Sequence, residues 1–128
     1  MKRTRNLLAY VDTWIQIYGQ RLALQGNQWP QEILTRPVDV MRLDPKITEG
    51  GRTSAGRYLG ACYRSSKGER PYIFLNVRAH RSRPHLRGTI AHELCHVRFP
   101  YLSHGADFNK KIKQLMAGET FKPYKPKK

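Results

Sequence analysis

Two histidines four residues apart, His92 and His96, with Glu93 between them, constrain this chain of 128 residues more than any other feature. An α-helix turns once in about 3.6 residues, so both imidazoles leave the same face of one helix, one above the other. Two imidazoles so placed can hold a single metal ion at about 2.0–2.1 Å each. Glu93 then lies beside the first of them, where a carboxylate can take a proton from an attacking water and pass it to a leaving amine. The pattern His92-Glu93-Leu94-Cys95-His96 is only moderately specific in itself. Its context adds weight, because it falls in a segment that reads independently as a helix and follows a strand. The plainer alternative is a pair of surface or core histidines with an ordinary helix carboxylate.

The rest of the chain supplies one domain's worth of elements around that helix, since so short a chain leaves little room for a second core. Leu7, Leu8, Val11, Trp14, Ile15, Tyr18 and Leu22 recur in steps of three and four and predict an N-terminal helix from about Asn6 to Leu24, ended by Gly26-Asn27. Trp29-Pro30 predicts a turn or short helical piece through Leu34. Val38 and Val40, with Leu43 beyond, alternate with Asp39 and Arg42 and predict a strand that Asp44-Pro45 stops. Residues 46–56, with Gly50, Gly51 and Gly56, read as a loop. A hairpin is expected from Tyr58–Arg64 and Pro71–Val77, and the run Tyr72-Ile73-Phe74-Leu75 reads as a strand covered on both faces. After the basic loop Arg78–Pro84, helices are predicted over about His85–Arg98 and Ala106–Ala117, the second with Phe108, Ile112, Leu115 and Met116 on one face. The expected fold class is α+β: an N-terminal helix, a small mainly antiparallel sheet, the histidine helix and a C-terminal helix. The domain is placed at 1–118 and a basic Lys/Pro tail at 119–128.

Twenty-four Lys and Arg oppose nine Asp and Glu, leaving a net charge of +15. An excess of this size predicts attraction to polyanions, DNA or RNA alike. Arg78, Arg81 and Arg83 in the basic loop, Lys122, Lys125, Lys127 and Lys128 in the tail, and Lys2, Arg3 and Arg5 at the start are the candidate phosphate contacts. Tyr124 is a candidate for stacking on a base. A solubility role for the charge is the alternative. Without an apolar run of membrane length or an uninterrupted apolar leader, a cytoplasmic protein with no membrane contact is expected, acting as a monomer. Cys62 and Cys95 make no disulfide framework and read as reduced thiols.

Two helical histidines leave a catalytic zinc one protein ligand short. His104 is the first candidate: it follows the break at Pro100, where the chain can turn and bring it back beneath the ion. Asp107 and Glu119 are carboxylate alternatives, although Asp107 suits the first turn of the last helix, where it would offset the dipole. Cys95 is a poor ligand, rotated about 100° around the helix from His96. His80 and His85 read as loop or surface residues or phosphate contacts. Tyr101 and His85 are the candidates for stabilising an oxyanion.

The motif His92–His96, followed by His104-Gly105 and by Phe108 opening a second helix, resembles the SprT-like and related small zincin metallopeptidases. The likeness is sharp over roughly residues 72–112 and architectural before that. It implies zinc held by His92, His96 and His104, with Glu93 as the general base and a protein as substrate. It also implies that Pro71–Val77 forms the rim of the cleft, where a free strand edge would pair with an extended substrate; an interior strand is the alternative. The group includes Spartan-type proteases that digest proteins crosslinked to DNA. With only two cysteines, the chain lacks the Cys-rich zinc ribbon of the fuller members, so their mode of DNA binding does not carry over. Two other functions remain open: a non-enzymatic nucleic-acid- or ribosome-binding protein with a structural zinc, and a regulatory metalloprotease that cleaves a single partner such as a repressor.

Overall fold

A computed structural model describes residues 2–44, 47, 57–64 and 69–123, with side chains from residue 6 onward. In chain order the elements are α1 (Lys2–Arg21), β1 (Glu32–Leu34), α2 (Pro37–Val40), β2 (Gly60–Tyr63), β3 (Tyr72–Leu75), a 3-10 turn (Val77–Ala79), α3 (Arg83–Arg98) and α4 (Ala106–Met116). The fold is α+β, as its pattern of elements implies. The tail residues 124–128 and most of the predicted loop 46–56 lie outside the described residues. None of the described helices is long and apolar enough to cross a membrane.

The sheet has the order β1-β3-β2, with β1 parallel and β2 antiparallel to β3. Its pleat sends alternate residues to opposite faces. Ile73 and Leu75 join Val11, Ile15, Tyr18 and Leu22 of α1 and Leu86, Ile90 and Leu94 of α3 in the main core. Phe74 points the other way, into a smaller cluster with Leu34, Val40 and Leu43. This explains the continuous apolar run Tyr72–Leu75: β3 is central and has helical or loop cover on both sides. α3 lies between α1, the sheet and α4, so from Leu86 to Arg98 every position is buried except Arg87 and the cleft-facing Gly88, His92 and His96.

Two sequence expectations are corrected here. The strand expected at Val38–Val40 is the helical turn α2, and the true strand is Glu32–Leu34, where a turn or helical piece was expected. Pro37 occupies the first helical turn, and the Arg36 guanidinium holds the Asp39 carboxylate at 2.7 Å across it. Val40 and Leu43, three residues apart, are buried while Val38 and Met41 are exposed, which is a helical step rather than an alternation. The second correction concerns the rim strand. Pro71–Val77 contains β3, which is paired on both sides, so among the described residues the edge strand beside the histidine helix is β2.

Candidate metal centre

Ser82 caps α3 by accepting the backbone N–H of His85, and Pro84 sits inside the first turn, where its missing N–H costs nothing. The helix therefore begins two residues before the predicted His85. It carries His92 and His96 on one stripe and ends at Arg98, where the Phe99 N–H returns to the Cys95 carbonyl. Buried Phe99 and half-buried Leu102, joined by a Leu102 N–H bond to the Phe99 carbonyl, anchor the turn that follows. That turn delivers His104 back to the other two histidines.

The Nε2 atoms of His96 and His92 are 3.1 Å apart, and those of His104 and His96 are 2.8 Å apart. All three donor atoms lie within 4.8 Å of one another, a group that could hold a metal ion. Tetrahedral zinc at 2.0–2.1 Å from each nitrogen requires donors roughly 3.3 Å apart, so the two close pairs would open by a few tenths of an ångström while the widest, at up to 4.8 Å, would have to close. Burial lowers the pKa of His92, and burial with the neighbouring imidazoles and Arg64 pushes His96 down to about 4. Both are thus neutral at pH 7, as a ligand must be. Fully buried Phe108 forms the floor: its ring stacks on His96 at 4.5 Å and meets the rings of His92 at 5.1 Å and His104 at 5.5 Å. His104 is exposed, leaving one side of the group open to solvent.

Among the described residues Asp107 and Glu119 stand outside the donor group. Asp107 lies in the first turn of α4, where its charge suits the helix dipole, and Glu119 follows the helix end. Cys95 is fully buried in the main core, and neither cysteine is in a disulfide.

Glu93 is buried, and desolvation pushes its pKa up to about 8. A divalent cation at the triad would favour the ionised carboxylate. The helix can bring Glu93 against the sheet because β2 presents glycine there: a Cβ at Gly60 would lie 3.0 Å from Glu93 Oε2, 2.8 Å from Thr89 Cγ2 and 2.9 Å from the Phe74 carbonyl. Gly60 and Cys62 of β2 face α3, and just past the strand the Arg64 guanidinium donates to the His96 carbonyl. A cavity of about 570 Å³ lies between this strand and the three histidines, with Tyr58 and Tyr63 also in its wall. Sequence reasoning missed Gly60, Cys62, Arg64 and the two tyrosines. The signal for all but Tyr63 was the two-residue spacing on a predicted strand whose packing against the histidine helix was not known.

Other candidates are placed elsewhere. Tyr101 is exposed with its ring edge-on to Phe99, and it does not line the cavity beside the triad. His85 sits one cavity further along α3. His80 is a cross-tie: its Nδ1–H donates to the Asn76 carbonyl at 2.8 Å, so its Nε2 accepts from the Thr89 hydroxyl at 2.7 Å. Arg78, Arg81, Arg83 and Lys122 are exposed, with Arg83 stacked over Tyr10, and Lys125, Lys127 and Lys128 lie outside the described residues.

Comparison with known proteins finds no matching family model, no matching curated protein and no matching solved structure.

Proposed function

We propose that this chain is a zinc-dependent peptidase of the SprT-like kind, acting in the cytoplasm on proteins associated with nucleic acid. The observation that carries the reading is the convergence of three imidazole nitrogens beside a buried glutamate, in a cleft bounded by the strand that forms the sheet's edge among the described residues. Three imidazole nitrogen donors with one open side suit catalytic zinc. Zinc held there would acidify a water and polarise the scissile carbonyl. Glu93 is the group positioned to accept the proton of the attacking water and return it to the leaving amine. The edge of β2, to which no other described strand is paired, offers main-chain groups to an extended peptide without demanding a particular sequence. A structural zinc would call for a fourth protein donor, and the described residues bring three together.

The net charge of +15 and the exposed Arg78 and Arg81 support contact with a polyanion. Metal analysis of the purified protein, with casein and histone cleavage measured with and without DNA, tests the reading. About one zinc per chain is expected, and Glu93→Gln should retain it while cleavage falls about a hundredfold or more. Equal cleavage by both proteins, or none by the wild type with zinc bound, overturns it.

A further inference from the structure

Tyr10, Trp14 and Tyr18 recur every four residues on α1 and form a ladder of rings, with successive centroids 6.3 and 5.1 Å apart. Each ring carries a guanidinium: Arg83 lies over Tyr10 at 5.2 Å, Arg87 over Trp14 at 4.9 Å and Arg21 over Tyr18 at 5.7 Å. Arg21 is committed to the fold, because it also donates to the Leu115 carbonyl. Arg83 and Arg87 make no ion pair among the described residues. Stacking holds a guanidinium by its flat face and leaves the N–H donors along its edge to an anion. The contacts advance together, and the Tyr10 hydroxyl donates to the Arg83 carbonyl at 3.1 Å, so α1 and α3 run side by side in one direction. Their N-termini, the positive ends of both helix dipoles, therefore share one end of the domain, and neither first turn holds an acid. Exposed Arg78 and Arg81 precede α3 at that end. Asp12, the single acid of α1, lies two residues from Tyr10 and from Trp14 and lines a cavity beside β1 instead. Arg87 and His92 are five residues apart, about 140° around α3, so the ladder and the triad occupy different flanks of the helix.

We propose that Arg83 and Arg87, stacked on the rings of α1, form a binding face for the sugar-phosphate backbone of duplex nucleic acid, on a flank of α3 apart from the cleft. The inference rests on the nucleic-acid part of the proposed function and not on peptidase activity. Tyr10 and Trp14 are half-buried and covered by their guanidinium groups, which leaves them ill suited to stacking on unpaired bases. The exposed chemistry is that of phosphate recognition. A duplex turns its bases inward and presents one negative charge per about 1.7 Å of its axis, the partner such donors fit best. Phosphate contacts carry no base information, so binding here is indifferent to sequence. The cleft stays free for a protein while the duplex lies against α1 and the start of α3.

The full chain is titrated against a short fluorescein-labelled DNA duplex at several salt concentrations, with circular dichroism confirming that each variant folds. Arg83→Gln/Arg87→Gln should bind at least about tenfold more weakly than the wild type, and its salt slope should fall by about 1.8, or 0.9 for each lost phosphate contact. Lys110→Gln/Lys113→Gln removes the same charge from exposed positions on α4 and should stay within about threefold of the wild type. Arg83→Lys/Arg87→Lys keeps the charge and loses the planar stack, so the slope should hold while affinity falls about threefold or more. The two tryptophans give a direct readout by NMR. The indole N–H resonance of Trp14 should shift saturably with duplex, whereas that of Trp29, which donates to the Leu24 carbonyl at 2.9 Å and lies beside Asp12, should not. A single strand of the same length should bind more weakly than the duplex. An equal loss in the Gln pair and the α4 control, a Lys pair that binds as tightly as the wild type, an unmoved Trp14 resonance or tighter binding of the single strand overturns the proposal. Wild-type affinity retained by the Gln pair refutes this face and leaves the nucleic-acid reading standing, whereas no binding by the wild type at low salt removes both.

Discussion

Phe108 offers the sharpest test of how the histidines are held. Its ring is fully buried and touches all three imidazoles, with the His96 stack closest at 4.5 Å. Phe108→Ala should cost about 3–5 kcal/mol through lost burial and a residual cavity. Phe108→Leu keeps most of the apolar volume and loses chiefly the aromatic contacts, each worth about 0.5–1.5 kcal/mol. Because one substitution removes all three and their effects are not additive, about 1–2 kcal/mol is expected, or roughly 4–8 °C in Tm for a domain of this size. Core filler alone would do this much. A ring that orients the ligands does more: zinc affinity should fall about 10–100-fold, as for other groups that position metal ligands. Each tenfold loss removes about 1.4 kcal/mol of zinc-linked stability at a fixed saturating concentration, so the gap in Tm between wild type and Phe108→Leu should widen by roughly 5 °C when zinc is added. Zinc affinity is measured by competition with a chromophoric chelator, and Tm by circular dichroism with zinc or with EDTA. Affinity within twofold of wild type, and a gap in Tm that zinc leaves unchanged, would show that Phe108 fills space and does not hold the imidazoles.

Three further outcomes are expected. His92→Ala, His96→Ala and His104→Ala should each lose stoichiometric zinc, while Asp107→Asn retains it; metal analysis after dialysis decides, and zinc loss in Asp107→Asn would displace His104 as third ligand. In EDTA, folded Glu93 holds its proton up to about 8 against an ordinary 4.5, so the unfolded chain releases that proton first and stability falls as pH rises through this window. The lowered His96 gives the opposite slope only between about 4 and its ordinary 6.5, so urea unfolding between pH 6.5 and 8 should show a decline in wild type that Glu93→Gln lacks; parallel curves refute it. Truncation after Pro123 keeps the Phe121 N–H bond to the Arg21 carbonyl and the Lys122 carbonyl that accepts from Arg98, so zinc content should be unchanged. Nucleic-acid affinity and its salt slope should both fall, and an unchanged slope would remove the tail from the contact.

What the amino-acid sequence determined by itself is what local periodicity can carry. The buried stripe Val11, Ile15, Tyr18 and Leu22, the pairing of His92 with His96 across one helical turn, and the hairpin around β2 and β3 follow from spacing within single segments. The tertiary structure decided the rest. β1 is three residues long and exists through its parallel register with Tyr72–Phe74, some forty residues away, so no alternation of its own could announce it. The end of α1 shows the same dependence: Ala23 takes a left-handed conformation usually given to glycine, while the Leu24 N–H returns to the Gly19 carbonyl and the Leu24 side chain is buried in the core. At the site, sequence spacing left His104, Asp107 and Glu119 as rival ligands because each lies beyond a helix break. Packing of Phe99, Leu102 and Phe108 aims the turn so that His104, and among the described residues neither carboxylate, joins the other two histidines in a group that could hold a metal ion. Gly60 and Arg64 gained their places beside Glu93 and His96 only when β2 became the edge of the sheet. Periodicity reports which face of a segment is buried, whereas a site is made where faces of distant segments meet, and that is set by packing between them.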